Sequence, residues 1–251
     1  LRYGREFAIF FPEMTASVLQ TNSQISEARA SLASRDLVWR TTSFRKLLQR
    51  VGLLRTHQDI GDPLKSWDVL QTAEFASKHL KKDEAILDIG AFSSEILIIL
   101  HRLGFSNLSG IDLNPAVTAM PYANTIQYRI GNFMESPFAS GSFALITAIS
   151  VIEHGYRPNE LLKEVARLLR PGGFFVASFD YWPEKISTEG IRIFDMDWRI
   201  FSREEVEDLV RVAGSYGLSP QGSLDLAAGE RPIRHSDRSY TFAWLALKKS
   251  G

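Results

Sequence analysis

Short apolar runs alternate with helix-period segments between residues 85 and 179, which predicts an α/β fold on a mostly parallel sheet. The runs 85–90, 108–112, 126–130, 143–150 and 174–179 have strand length, and turn-forming residues follow each one. Helical patterns separate them, so the strands should be parallel with right-handed crossovers. Two closing strands at 219–226 and 240–247 bring the expected sheet to seven strands, with helices on both faces and an antiparallel last strand.

Each connecting element has a local reason. A helix is expected from about residue 94 to 103, after the turn that ends the first strand. Asn114 and Pro115 supply an N-cap and an N1 proline for a second helix. Pro158 starts a third, with Leu161, Leu162, Val165, Leu168 and Leu169 on its apolar face, and Pro171-Gly172-Gly173 stops it. Ser202-Arg203-Glu204-Glu205 is a capping box that opens a last helix through Val206, Leu209 and Val212.

Residues 1–80 show helical signal without a strong strand signal and are expected to form an N-terminal helical cap on a domain spanning 81–251. Trp67, Val69, Leu70, Ala73, Phe75, Ala76 and Leu80 mark one apolar helix, preceded by a Gly61-Asp62-Pro63 turn. The apolar stretch 7–11 should pack on something. Arg29, Arg35, Arg40, Arg45, Lys46, Arg50 and Arg55 form either a solvated helix face or a face toward an acidic ligand.

Composition narrows the classes. The chain has 251 residues, 29 Lys+Arg against 29 Asp+Glu, 45% hydrophobic residues and no Cys. Disulfides, thiolate metal sites and cysteine nucleophiles are therefore excluded. Zero net charge argues against a nucleic-acid partner, which needs a basic face. No apolar run reaches the ~18 residues of a membrane span, and a cytoplasmic protein with a small-molecule substrate is expected.

In open α/β sheets ligands bind beyond the carboxyl ends of the strands. The residues there are Asp88-Ile89-Gly90-Ala91-Phe92-Ser93-Ser94-Glu95, then Asp112-Leu113-Asn114, Gly131-Asn132-Phe133, and Ser150-Val151-Ile152-Glu153-His154. Asp112 lies some twenty residues past the first turn, the spacing at which a carboxylate holds nucleoside ribose hydroxyls.

This constellation resembles the class I S-adenosylmethionine-dependent methyltransferases, which have a Rossmann-like fold. The most specific signals are Leu145 to His154 and Leu162-Lys163-Glu164-Val165-Ala166-Arg167-Leu168-Leu169-Arg170-Pro171-Gly172-Gly173. The resemblance implies S-adenosylmethionine as cofactor. Asp88, Gly90, Ala91 and Phe92 would lie at its methionine end, Asp112 with Leu113 at the ribose, and Asn132 with Phe133 at the adenine; Ser150 would close the set. The sequence departs from the family's usual Asp-x-Gly-x-Gly-x-Gly turn, because Phe92 and Ser94 replace glycines. Glycine there permits positive φ and close backbone approach, so the Phe92 side chain turns away, the cofactor shifts, or the site is inactive.

His154 and Asp180 are the expected catalytic residues, as bases for an acceptor that must lose a proton. Each also has a plain structural role open to it. Tyr181, Trp182 and Trp198, in an insertion at about 181–200, are expected substrate contacts, and their mix of rings and acids suggests a polar molecule such as a sugar or glycosylated compound. No metal is implied. A non-catalytic nucleoside- or partner-binding module on the same fold is the alternative, motivated by the altered glycine turn. A nicotinamide-dependent oxidoreductase fits less well, because 90–95 lacks the spaced glycines that cradle a pyrophosphate.

Overall fold

The computed structural model describes residues 15–39 and 60–251. The apolar stretch 7–11 and the cations Arg40, Arg45, Lys46, Arg50 and Arg55 lie outside the described residues.

Five parallel strands form the centre of the sheet. These are β2 (Ile86–Ile89), β3 (Leu108–Asp112), β4 (Gln127–Ile130), β5 (Phe143–Ile149) and β6 (Leu169–Tyr181). The long last strand β11 (Arg238–Lys249) runs antiparallel to β6, as the sequence predicts. The order across the main path is β1-β11-β6-β5-β2-β3-β4, where β1 is Ala16–Val18.

β1 is a departure from the sequence reading. Residues 15–19 show no strand signal, yet β1 adds antiparallel to β11 and buries Ala16, Val18 and Leu19. The expected strand 219–226 shrinks to β9 (Leu218–Ser219) and a single bridge from Leu224 to Ala16. A three-residue strand has too few positions to show a period of two, and only its partner strand specifies it. The short β10 (Ile233–His235) pairs with β11 from the side.

Alternate residues of each central strand enter opposite core layers, as a sheet covered on both faces requires. Ile86, Leu145, Val176 and Trp244 face the layer of α1 (Asn22–Ser34), α2 (Ser66–His79) and α3 (Ile96–Arg102). Leu87, Ile146, Ala177 and Leu245 face α4 (Pro158–Leu168) and α5 (Arg203–Ser215). The helix expected after Asn114 is only a 3₁₀ segment, Pro115–Ala119, although Asn114 caps it through the Ala116 N–H. Pro121 follows within two residues and bars a longer run.

The inserted region contains a hairpin of β7 (Arg192–Ile193) and β8 (Met196–Asp197). Its two central residues, Phe194 and Asp195, both have positive φ, the turn that matches strand twist.

The α5 capping box is formed in both directions: Ser202 Oγ accepts from the Glu205 N–H at 3.2 Å, and the Ser202 N–H donates to Glu205 Oε2 at 2.8 Å. Ser202→Ala should therefore lower stability by about 1 kcal/mol, read as a shifted urea midpoint at unchanged slope.

Candidate active site

The turn after β2 is held from three sides. Gly90 has φ +70, and a Cβ there would lie 2.4 Å from Val151 Cγ2, so the loop after β5 closes directly over it. Ser93 takes a left-handed φ of +66, an uncommon conformation for a residue with a side chain. The Phe92 ring turns onto the core layer of the first three helices, which frees the rim that a glycine would have left open. The Phe92 N–H donates to Asp112 Oδ2 at 2.9 Å, and the other Asp112 oxygen accepts from the Asn114 N–H at 2.7 Å. Each oxygen keeps a lone pair for a further donor.

Asp88 lies beneath this turn, 1% exposed, and accepts from the Thr147 hydroxyl at 2.6 Å. Burial raises its carboxyl to about 7, with the Thr147 and Ser94 hydroxyls opposing the shift. Glu95, also buried, ties the N-terminal elements to the turn: Arg29 meets it at 2.6 Å and the Trp39 N–H at 2.9 Å.

Beside Asp112 the rim is apolar and open. Leu113 is 64% exposed, and Ile130, the sheet partner of Asp112, is 55% exposed. Asn132 is exposed at the end of β4, its Oδ1 capping the Met134 N–H. Phe133, expected against the adenine, is 6% exposed in the core of the opposite layer, where it braces β4 from below. Ser150 ends β5 with φ +52, and its buried hydroxyl has no hydrogen-bond partner among the described residues.

A second group of polar residues lies beyond β5 and β6. Asp180 is 4% exposed; its Oδ2 accepts from Trp198 Nε1 at 2.7 Å, and its Oδ1 is 3.9 Å from Lys65 Nζ. Burial raises its carboxyl, against the Lys65 charge. His154 is held low, at about 4, by burial and then by Lys65 and His235, so its ring is neutral at pH 7. Neutral imidazole can accept a proton, and its buried Nδ1 has no partner among the described residues.

Two expected substrate contacts belong to the interior instead. Tyr181 is 0% exposed and donates its hydroxyl to the Leu226 carbonyl at 2.7 Å. Trp198 is 3% exposed, and its one N–H is committed to Asp180. Both sit where β6 and the inserted region fold back on the sheet, so their rings fill the core. Trp182 stays half-buried, under the Arg231 guanidinium at 4.1 Å from its ring centroid.

The sequence reading passed over Lys65 and Asp68 of the N-terminal part, Tyr240 of β11, and Glu153 as anything but scaffold. Asp68 carried a signal: it is a lone acid on the buried face of an otherwise apolar helix. Among the described residues no three His, Asp or Glu side chains are placed to hold a metal ion.

A parallel sheet with this strand order, a tight turn after its central strand and an acid at the end of the next is the arrangement implied by the resemblance to class I S-adenosylmethionine-dependent methyltransferases, and the comparisons support that class. Residues 87–177 match the family described as a methyltransferase domain. EEF1A lysine methyltransferase 2 of Danio rerio is 24% identical over 155 residues, covering 53% of this chain and 65% of that protein. The ubiquinone/menaquinone biosynthesis C-methyltransferase UbiE of Roseobacter denitrificans is 29% identical over 110 residues, covering 40% and 44%. The chain thus spans less than two thirds of the length of these two curated relatives. The geranyl diphosphate C-methyltransferase of Streptomyces coelicolor A3(2) superposes with a TM-score of 0.54 at 17% identity, covering 84% of this chain and all of that one. The cofactor of the family is S-adenosylmethionine. The residues present fit it: a glycine cradle under Val151, an acid with spare lone pairs, an open apolar rim and a buried hydroxyl without a partner.

Two outcomes follow. Tyr181→Phe should cost about 0.5–1.5 kcal/mol of stability and leave ligand affinity unchanged, measured by denaturant unfolding and by calorimetry. Asp88 should make the ligand-free chain less stable as pH rises. Below about pH 4 both folded and unfolded states carry its proton. Between about 4 and 7 only the unfolded chain releases it, so stability falls through that window and levels off above it. The loss is on the order of a few kcal/mol, and Asp88→Asn should flatten the profile and gain stability at pH 8.

Proposed function

We propose that the chain transfers a methyl group from S-adenosylmethionine to a small-molecule acceptor held beyond β5 and β6. The observation that carries this reading is the juxtaposition of two groups of polar residues along one sheet edge. The Gly90–Asp112 turn lies at the ends of β2 and β3, and the His154–Asp180 group lies at the ends of β5 and β6. Val151 packed over Gly90 joins the two.

In this reading Asp112 takes the ribose hydroxyls, Leu113 and Asn132 face the adenine, and Gly90, Ala91 and the Phe92 backbone border the methionine end with Ser150. The cofactor supplies an already activated methyl group, so positioning accounts for much of the rate. His154, neutral at pH 7, and Asp180 are the groups able to take a proton from the acceptor. Trp182 is the aromatic contact left for the acceptor once Tyr181 and Trp198 are assigned to the interior. Arg29 and Trp39 of the N-terminal part are fastened to the turn through Glu95. A sugar acceptor loses much of its support, because two of the three rings that suggested it are buried. The non-catalytic alternative keeps one supporting observation, the Phe92 N–H already engaged by Asp112.

Calorimetric titration with S-adenosylmethionine and S-adenosylhomocysteine tests the reading. Saturable one-to-one binding is expected for both, and absence of binding to either would overturn it. Asp112→Ala should weaken binding about 10- to 150-fold, the effect of losing charge-assisted hydrogen bonds. Unchanged affinity in the folded variant would remove Asp112 from the site.

A further inference from the structure

Glu153 follows β5 in the loop that closes on Gly90. It is 0% exposed, and neither carboxylate oxygen has a hydrogen-bond partner among the described residues. A buried carboxylate without donors is among the costliest groups a protein can keep. Its surroundings add to the imbalance. Asp180 approaches from β6, and Asp68 from α2, where Asp68 accepts from the Val69 N–H and from Ser178 Oγ at 2.7 Å. Lys65 is the one cation among these groups, and it lies 3.9 Å from Asp180 Oδ1 and over the Phe242 ring at 3.6 Å. The remaining titratable neighbours are His154 from the same loop, His235 and Tyr240 from β10 and β11, and Asp62 ahead of α2. Asp180, Lys65 and the rings of Trp198 and Phe242 are in direct contact, and the Glu153 and Asp68 carboxyls belong to the same buried region.

We propose that this space is a recognition site for a cationic amine, with Glu153 and Asp180 as its anionic receptors and the surrounding rings as its walls. The proposal deepens the methyl-transfer reading, since it names the chemical class of the acceptor: a molecule held through its ammonium, whose nitrogen can take the methyl group only after it gives a proton to His154 or Asp180. An ammonium brings three N–H donors, which match the two idle oxygens of Glu153 and the Asp180 oxygen that Lys65 does not reach at hydrogen-bond distance. Aromatic faces favour a cation over a neutral polyol. A metal ion is the wrong occupant, because no three such side chains among the described residues converge on one point. Burial and the Asp180 charge hold the Glu153 carboxyl well above its usual range. An arriving ammonium opposes both causes, so its binding should favour loss of the Glu153 proton.

The test uses the full chain with a matched pair of probes, 2-phenylethylamine and 2-phenylethanol, titrated after saturation with S-adenosylhomocysteine. The amine should bind at least about tenfold more tightly than the alcohol. Its binding should be accompanied by proton release, read from heats in buffers of different ionisation enthalpy, and its affinity should rise with pH. Glu153→Gln should lose both the preference and the proton release while keeping the circular dichroism spectrum. If that variant fails to fold, proton release by the unaltered chain decides. Equal affinity for the two probes, or no amine binding by a chain that binds S-adenosylhomocysteine, would overturn the proposal and leave ordered water as the occupant. Amine binding with no S-adenosylhomocysteine binding would uphold the amine site and overturn the methyl-transfer reading.

Discussion

The Asp112 carboxylate joins two turns that would otherwise be independent. One oxygen takes the N–H of Phe92 after β2, and the other takes the N–H of Asn114 after β3. Charge-assisted bonds to backbone donors are short and strong, so the two strand ends stand in fixed relation. The consequences run outward. With Phe92 N–H turned toward Asp112, its ring goes to the core, and the next residue, Ser93, bends into the left-handed region. Glycines in the usual turn of this class would make that bend without cost. Here one hydrogen bond and one half-buried ring offset the strain of a serine.

A second constraint comes from charge. Asp68, Asp88, Glu153 and Asp180 are all buried on the side of the sheet where ligands bind, and each carboxyl is raised above its usual range by burial. A protein optimised for stability alone would replace such groups with apolar ones of the same volume. Their concentration at the carboxyl ends of β2, β5 and β6 is what a binding site needs, because a ligand can supply the donors that the fold withholds. On the turn side both Asp112 oxygens and one Asp88 oxygen accept hydrogen bonds from hydroxyl or backbone groups, and Asp88 Oδ2 has no partner among the described residues. The side beyond β5 and β6 leaves Glu153 bare. Glu153 is the one of these four carboxyls with neither oxygen partnered among the described residues.

The central five strands, the capping box at Ser202 and the antiparallel last strand were legible in the amino-acid order, and so was the grouping of Asp88, Gly90, Ala91 and Asp112 at neighbouring strand ends. Each rests on information contained in a short window: hydrophobic period, cap chemistry, or the position of a turn after a strand. β1 was not legible, since three residues show no period and gain their conformation from β11. Nor were the fates of Phe133, Tyr181 and Trp198. An aromatic residue near a strand end suits a ligand wall and a core layer equally well by residue type.

Local pattern by itself determined the fold class, the tight turn after β2 and the acid at the end of β3 that meets it, because these depend on spacing along the chain. Tertiary structure alone decided which polar groups meet. Lys65 and Asp68 are separated from Asp180 by more than a hundred residues, and only the packing of α2 against β6 and β11 brings their charges together. No residue window contains that encounter, and burial, which raises the carboxyls and leaves Glu153 without a donor, is a property of the folded surroundings rather than of the side chain.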